Sequence, residues 1–152
     1  MIPKAFFVTS GKALSKVSRL NTFDLALKDA GIAQCNLVKV SSIIPPKCRE
    51  TTLKALPVGS ITYAVISKAE GKGGMISAGI AWGVEENHGY GVVAEACGNI
   101  DEPSARKKLE EKIHEMAKIR RIELNKVKYR IETLDVPEES YGCVTAALVY
   151  LV

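Results

Sequence analysis

Histidine is nearly missing from this sequence: His88 and His114 are the only two in 152 residues. One falls in the turn EENHGYG and the other on a charged helical stretch, and neither has a partner at ligand spacing. That argues against a histidine metal site and against a Ser-His-Asp arrangement. No CxxC pair joins the four cysteines, Cys35, Cys48, Cys97 and Cys143. A tetrahedral metal site is therefore not expected, and the thiols read as reduced and mostly buried. Aromatic residues make up 6% of the chain and the basic residues are interleaved with acids, so the net charge of +4 does not form a nucleic-acid stripe. No apolar run approaches the ~18 residues of a membrane span, and the N-terminus MIPKAFFVTSGKALSK lacks the pattern of a cleaved leader. The expectation is a soluble, cytoplasmic protein without a membrane or nucleic-acid partner. The glycines of EGKGGM lack the GxxxxGK[ST] pattern and its strand-then-helix setting, which argues against a phosphate loop.

What is present fits one globular domain, residues 1–152, with 47% apolar and 25% charged residues and neither a linker nor a low-complexity segment. KAFFVTSGK reads as a short first strand. LNTFDLALKDAGI reads as a short helix that Asn21 or Thr22 can cap, with Phe23, Leu27 and Ala30 on one face and Gly31 as a left-handed stop. NLVKVSSII has the apolar content of a strand that Pro45-Pro46 must end, because neither residue has an amide hydrogen to donate. VGSITYAVISKA and GMISAGIAWGV read as two strands joined by a hairpin at EGKGG, and HGYGVVAEACG as the next strand. Pro103 and Ser104 open the longest helix, with Leu109, Ile113, Met116 and Ala117 facing the core. KVKYRIETLDV and GCVTAALVYLV then form two strands around the acidic turn PEES. The order suggests a doubled unit, with helices outside two packed sheets.

Ser41-Ser42 is the one element with unusual chemical potential. A serine at a strained strand end can attack the preceding peptide carbonyl. The amide becomes an ester, β-elimination leaves a dehydroalanine, and hydrolysis gives a pyruvoyl group with loss of ammonia. The plain alternative is that serines at a strand end only hydrogen-bond locally.

Taken together, LNTFDLALKDAGI, NLVKVSSIIPP and GVVAEACG resemble the pyruvoyl-dependent arginine decarboxylases found in archaea. The resemblance is dense from Leu20 to Pro46 and continues more loosely through EKIHEMAKIRRIEL and GCVTAALVYL. It implies an α/β fold, the four-layer αββα sandwich of the pyruvoyl-dependent histidine and arginine decarboxylases. It implies a zymogen that cleaves itself between Ser41 and Ser42 into chains of residues 1–41 and 42–152, the second headed by a pyruvoyl group made from Ser42. The α-amine of the substrate would condense with that ketone as a Schiff base, and the adjacent amide carbonyl would take up the electrons released with carbon dioxide, the work pyridoxal phosphate does elsewhere. Neither pyridoxal phosphate nor a metal is then required. The activity implied is decarboxylation of L-arginine to agmatine, toward polyamines.

By the same resemblance Glu95 is the catalytic acid, Asp24 holds the substrate guanidinium, and Asn36 serves self-processing and the active site. Glu95 lies among Val92, Val93, Ala94, Ala96 and Cys97, flanks that suggest a partly desolvated carboxyl, or else it is an exposed edge-strand glutamate. Asp24 suits a bidentate guanidinium contact, although an acid in a first helical turn is also favoured by the helix dipole. Asn36 is either a polar strand start or a site residue. If residues 36–42 stay extended, six steps of ~3.3 Å put it roughly 20 Å from its own Ser42. It should then meet the Ser42 of a neighbouring protomer, in keeping with the trimer the resemblance implies. The basic front end, with Lys4, Lys12, Lys16 and Arg19, carries no assignable chemistry. Two alternatives remain: the same chemistry on another amino acid such as histidine, and an unprocessed, non-catalytic assembly module.

Overall fold

In chain order the computed structural model contains β1 (Ala5–Ser15), α1 (Thr22–Asp29), β2 (Asn36–Lys39), β3 (Ile43–Ile44), β4 (Arg49–Glu50), β5 (Ile61–Val84), β6 (Gly91–Gly98), α2 (Glu102–Arg120) and β7 (Lys128–Leu151). It describes every residue except Arg19 and His88, so the expectations placed on those two lie outside the described residues. The strands form one seven-stranded sheet, ordered β3-β6-β5-β7-β1-β4, with β2 added beside β5.

Two predicted hairpins do not form. EGKGG and PEES each lie inside a single strand of 24 residues, β5 and β7, which pair antiparallel with one another on both sides of these segments. The registers run from Ala64↔Val149 to Lys72↔Tyr141 and resume from Gly74↔Val136 to Trp82↔Lys128. Gly73 alone therefore stands opposite residues 137–140. The excess residues on β7 bulge out and bend the ladder, which is also why Pro137, with no N–H to donate, is tolerated inside a strand. Gly73 and Gly74 have φ of +72° and +84°, and a Cβ on Gly73 would come within 3.3 Å of the Glu138 backbone.

Beyond the bend, side-chain alternation sorts the core. Val65, Leu148, Phe6 and Tyr150 from one half of the sheet pack against Ile80, Trp82, Val93 and Ile44 from the other. Their immediate neighbours face outward: Ala64, Ala147 and Val149 meet Leu27 of α1 and its C-cap Ala30, whereas Ala81, Val92, Ala94 and Ala96 meet Leu109, Ile113 and Ala117 of α2. The result is a mixed α/β fold in which one continuous sheet curls on itself and carries two helices, where two separate sheets were expected. Fully burying a side chain such as Leu109 or Ile113 contributes ~1.5–3 kcal/mol.

The helices are anchored differently from the sequence expectation. Asn21 occupies the N-cap position of α1 but makes no side-chain cap bond. The end of α1 is fixed instead by β1, where Thr9 Oγ1 donates to the Ala30 carbonyl at 2.6 Å and Lys12 N donates to Asp29 Oδ2 at 3.0 Å. Gly31 takes its expected left-handed conformation, with φ +81°. α2 is capped by Asp101, whose carboxylate accepts from Ser104 N at 2.9 Å. That hydrogen bonding holds the Asp101 carboxyl below the usual range.

Candidate active site

The two serines stand where the chain leaves one half of the curled sheet for the other. Val40 N donates to the Ala64 carbonyl at 2.9 Å, the last tie of this stretch to β5, and Val93 N donates to the Ser42 carbonyl at 2.9 Å, the first tie to β6. Ser41 is exposed between these anchors and Ser42 is half-buried. Beyond Ser42 the chain is held firmly. Ile43 and Ile44 pair with Val92 and Gly91, the Ile44 side chain is fully buried, and Tyr150 donates its hydroxyl to the Ile43 carbonyl at 2.7 Å. The ladder stops at Pro45, as the missing amide hydrogens require. Among the described residues the only non-glycine residues with positive φ are Lys47 and Arg121, so the strain expected at the serines does not take the form of a left-handed backbone.

Glu95 lies two positions after Val93 on β6, and alternation points both to the concave side of the curl. The desolvation suggested by its apolar neighbours is not met within one chain. Val92, Val93, Ala94 and Ala96 are buried, but the Glu95 side chain keeps 41% exposure and pairs with Lys39 Nζ at 3.4 Å. An exposed pair of this kind contributes ~0–1 kcal/mol. Lys112 of α2 donates to the Glu95 backbone carbonyl at 2.7 Å.

Glu95 lines two clefts. One, of about 330 Å³, holds it with Ser42, Lys112 and Glu115. The other, of about 600 Å³, holds it with Asp24, Asn36, Lys39 and Lys68. The larger cleft carries both signs of charge, as a zwitterion with a charged side chain would need. Its aromatic wall is Phe23, over which Lys68 Nζ sits 4.4 Å from the ring centre. Asp24 is exposed in the first turn of α1, as the sequence suggested. Asn36 is also exposed, its side chain donating to the Gly59 carbonyl at 2.9 Å. Asp24, Asn36 and Glu95 thus share one cleft and Ser42 with Glu95 the other, so Asn36 and its own Ser42 lie apart. Cys35 and Cys97 line the larger cleft as free thiols, one half-buried and one exposed.

Sequence reasoning missed Lys39, Lys68, Lys112, Tyr150 and the Val93 amide. Each acts through a contact distant in the chain, and none carries a local signal. Among the described residues no group of three or more His, Cys, Asp or Glu side chains gathers to hold a metal ion, and no helix is long and apolar enough to cross a membrane.

The family model described as pyruvoyl-dependent arginine decarboxylase matches residues 5–152. A pyruvoyl-dependent arginine decarboxylase of Methanopyrus kandleri is 36% identical over 149 residues, 98% of this chain and 97% of its own. Proteins of the same name from Methanothermobacter thermautotrophicus and Methanococcus aeolicus are 35% and 34% identical, over 95% and 96% of this chain and 94% and 88% of their own.

Proposed function

The chain belongs to the pyruvoyl-dependent arginine decarboxylase family, and from that membership we propose that it cleaves itself between Ser41 and Ser42 and converts L-arginine to agmatine and carbon dioxide. The observation that carries this reading is the division of the site. Ser42 and Glu95 share one cleft, and Glu95 shares the other with Asp24 and Asn36.

In self-cleavage the Ser42 hydroxyl adds to the Ser41 carbonyl carbon and the acyl group passes from nitrogen to oxygen. Elimination then frees residues 1–41 as a carboxylate, and water displaces the nitrogen of residue 42 as ammonia. The surroundings of residue 42 fit the pyruvoyl group so formed. The hydrogen bonds that hold residues 42–44 lie on the far side of the broken bond, so the new chain end keeps its anchors while the exposed Ser41 is free to withdraw. The group supplies a ketone for the substrate amine and an electron sink for the electrons left behind by carbon dioxide.

The remaining work falls to side chains of this protein. Asp24 accepts two parallel hydrogen bonds from the planar guanidinium, and its exposure in the free chain leaves it available to do so. Glu95 delivers a proton to the carbon that lost carbon dioxide. The separation of Asn36 from its own Ser42 supports a site completed by a neighbouring protomer, in a trimer of self-cleaved chains. Residues 1–152 act as one domain of the αββα sandwich type, a reading supported by α1 and α2 packing on opposite outer faces of the curled sheet. Agmatine formation in the cytoplasm would open a route to polyamines.

Intact mass of the purified protein tests the reading. Two fragments matching residues 1–41 and 42–152, with borohydride trapping of arginine on the second and carbon dioxide released chiefly from arginine among amino acids, are expected. A single uncleaved chain that arginine and borohydride leave unchanged would sink it, and release chiefly from histidine would replace the substrate.

A further inference from the structure

Cleavage between residues 41 and 42 leaves the carbonyl of residue 42 on the C-terminal fragment, next to the reacting ketone. That oxygen already has a partner, the backbone N–H of Val93 at 2.9 Å. We propose that this N–H is a catalytic group: it is the donor that meets the negative charge building on the residue 42 carbonyl oxygen as carbon dioxide leaves. The proposal rests on the pyruvoyl reading above.

A donor aimed at a developing charge helps most when it is fixed beforehand and sheltered from water, because nothing then has to reorganise during the reaction. Val93 meets both conditions. It is 1% exposed, and β6 is clamped on its other side by the pair Trp82↔Val93 in the ladder with β5. The acceptor is equally fixed. Ile43↔Val92 and Ile44↔Gly91 continue the ladder beyond residue 42, and Tyr150 holds the Ile43 carbonyl. All these ties survive loss of residues 1–41, so donor and oxygen stay together after processing.

A neutral N–H···O=C bond strengthens roughly twofold as its acceptor becomes charged. The N–H therefore favours the state in which electrons have moved onto the oxygen over the state before. The electron pair comes from the bond to carbon dioxide and returns to carbon when Glu95 supplies a proton. Val93 and Glu95 are two strand steps apart, about 7 Å along β6, so a single strand would present both the group that steadies the charge and the acid that discharges it. A side-chain search cannot find such a donor, since any non-proline residue would supply it.

The experiment uses full-length protein in which Val93 is exchanged for its α-hydroxy acid, replacing N–H by oxygen while keeping the side chain. The same exchange at Val144, in the paired centre of β7, controls for loss of a ladder donor. The Val93 exchange should still yield fragments 1–41 and 42–152, lower kcat about 10²-fold or more, leave KM little changed, and shift the carbon-13 resonance of the residue 42 carbonyl upfield. The Val144 exchange should leave kcat and that resonance unchanged. Processed wild-type protein should also show scalar coupling between the Val93 nitrogen and the residue 42 carbonyl carbon. A processed Val93 exchange with kcat within about twofold of wild type would overturn the proposal, because a preorganised donor is worth far more. Absent coupling in processed wild type would overturn it as well, even if the exchanged protein failed to process. Failure of the underlying pyruvoyl reading looks different, since wild type itself would then remain one 152-residue chain.

Discussion

The hydroxyl of Tyr150 donates to the carbonyl of Ile43 at 2.7 Å, tying the last strand of the sheet to the residue that follows Ser42. Burial, with a smaller contribution from Cys48, pushes the Tyr150 hydroxyl well above the ordinary phenol range, so it is a donor at neutral pH. Tyr150→Phe leaves that carbonyl short of a partner and should cost about 1–3 kcal/mol of stability. Denaturant unfolding checks the loss. Fragment appearance over time should also slow, because residue 42 is less firmly placed.

Ser42→Ala removes the attacking hydroxyl and nothing else. The variant should stay full length, release no carbon dioxide from arginine and form no borohydride adduct. Intact mass is the measurement, and cleavage at the same bond would refute the proposed route.

Asp24 and Glu95 should separate kinetically. Asp24→Asn forfeits a charged partner for the guanidinium, so KM for arginine should rise about 10–100-fold, from the ~1.5–3 kcal/mol of a charged hydrogen bond. Glu95→Gln keeps shape but carries no acid, so kcat should fall about 10²–10⁴-fold with little change in KM. Steady-state rates on processed protein test both, and a reversed pattern would exchange the two roles.

Gly11 lets α1 approach β1 closely. A Cβ there would press on the Ala26 carbonyl and come within 2.7 Å of Ala30 N, so at Gly11 the backbone of α1 lies directly on β1. Gly11→Ala should destabilise by about 1–3 kcal/mol, as overpacking does. It should also raise KM, because α1 carries Asp24. Unchanged KM in a destabilised variant would show that the helix holds its place.

Alkaline stability should follow Cys143. Burial first, then the charge of Glu70, pushes this thiol from 9.0 up to about 12. With the folded-state value raised, the unfolded chain loses its proton first as pH climbs, so the contribution is whole below pH 9 and disappears between 9 and about 12. Cys143→Ser removes the titrating group and should flatten the decline in that window, read by urea midpoints at stepped pH.

Local signals were legible wherever they had one meaning. Gly31 ended α1, Leu109, Ile113 and Ala117 marked the buried stripe of α2, and Pro45-Pro46 ended the β3 ladder. EGKGG and PEES failed because glycines, acids and a proline suit a hairpin and a bulge equally well. Only the partner strand, present on both sides of each segment, selects the bulge. Of the flanks of Glu95, Val92, Val93, Ala94 and Ala96 are buried as the sequence suggested while Cys97 is exposed, and burial of neighbours does not bury a side chain at the mouth of a cleft.

The sequence by itself determined which atoms could react: a serine pair before two prolines, an acid in GVVAEACG and an acid in the first turn of a short helix, all of them covalent facts along one chain. Tertiary structure decided what those atoms face. The bend at Gly73 brings β2 and β6 to one curled sheet, so the chain between Val40 and Ser42 must cross from one half to the other with Val93 N–H waiting on the far side. Hydrogen-bond partners and cleft walls come from residues far away in the chain, and no local pattern specifies them.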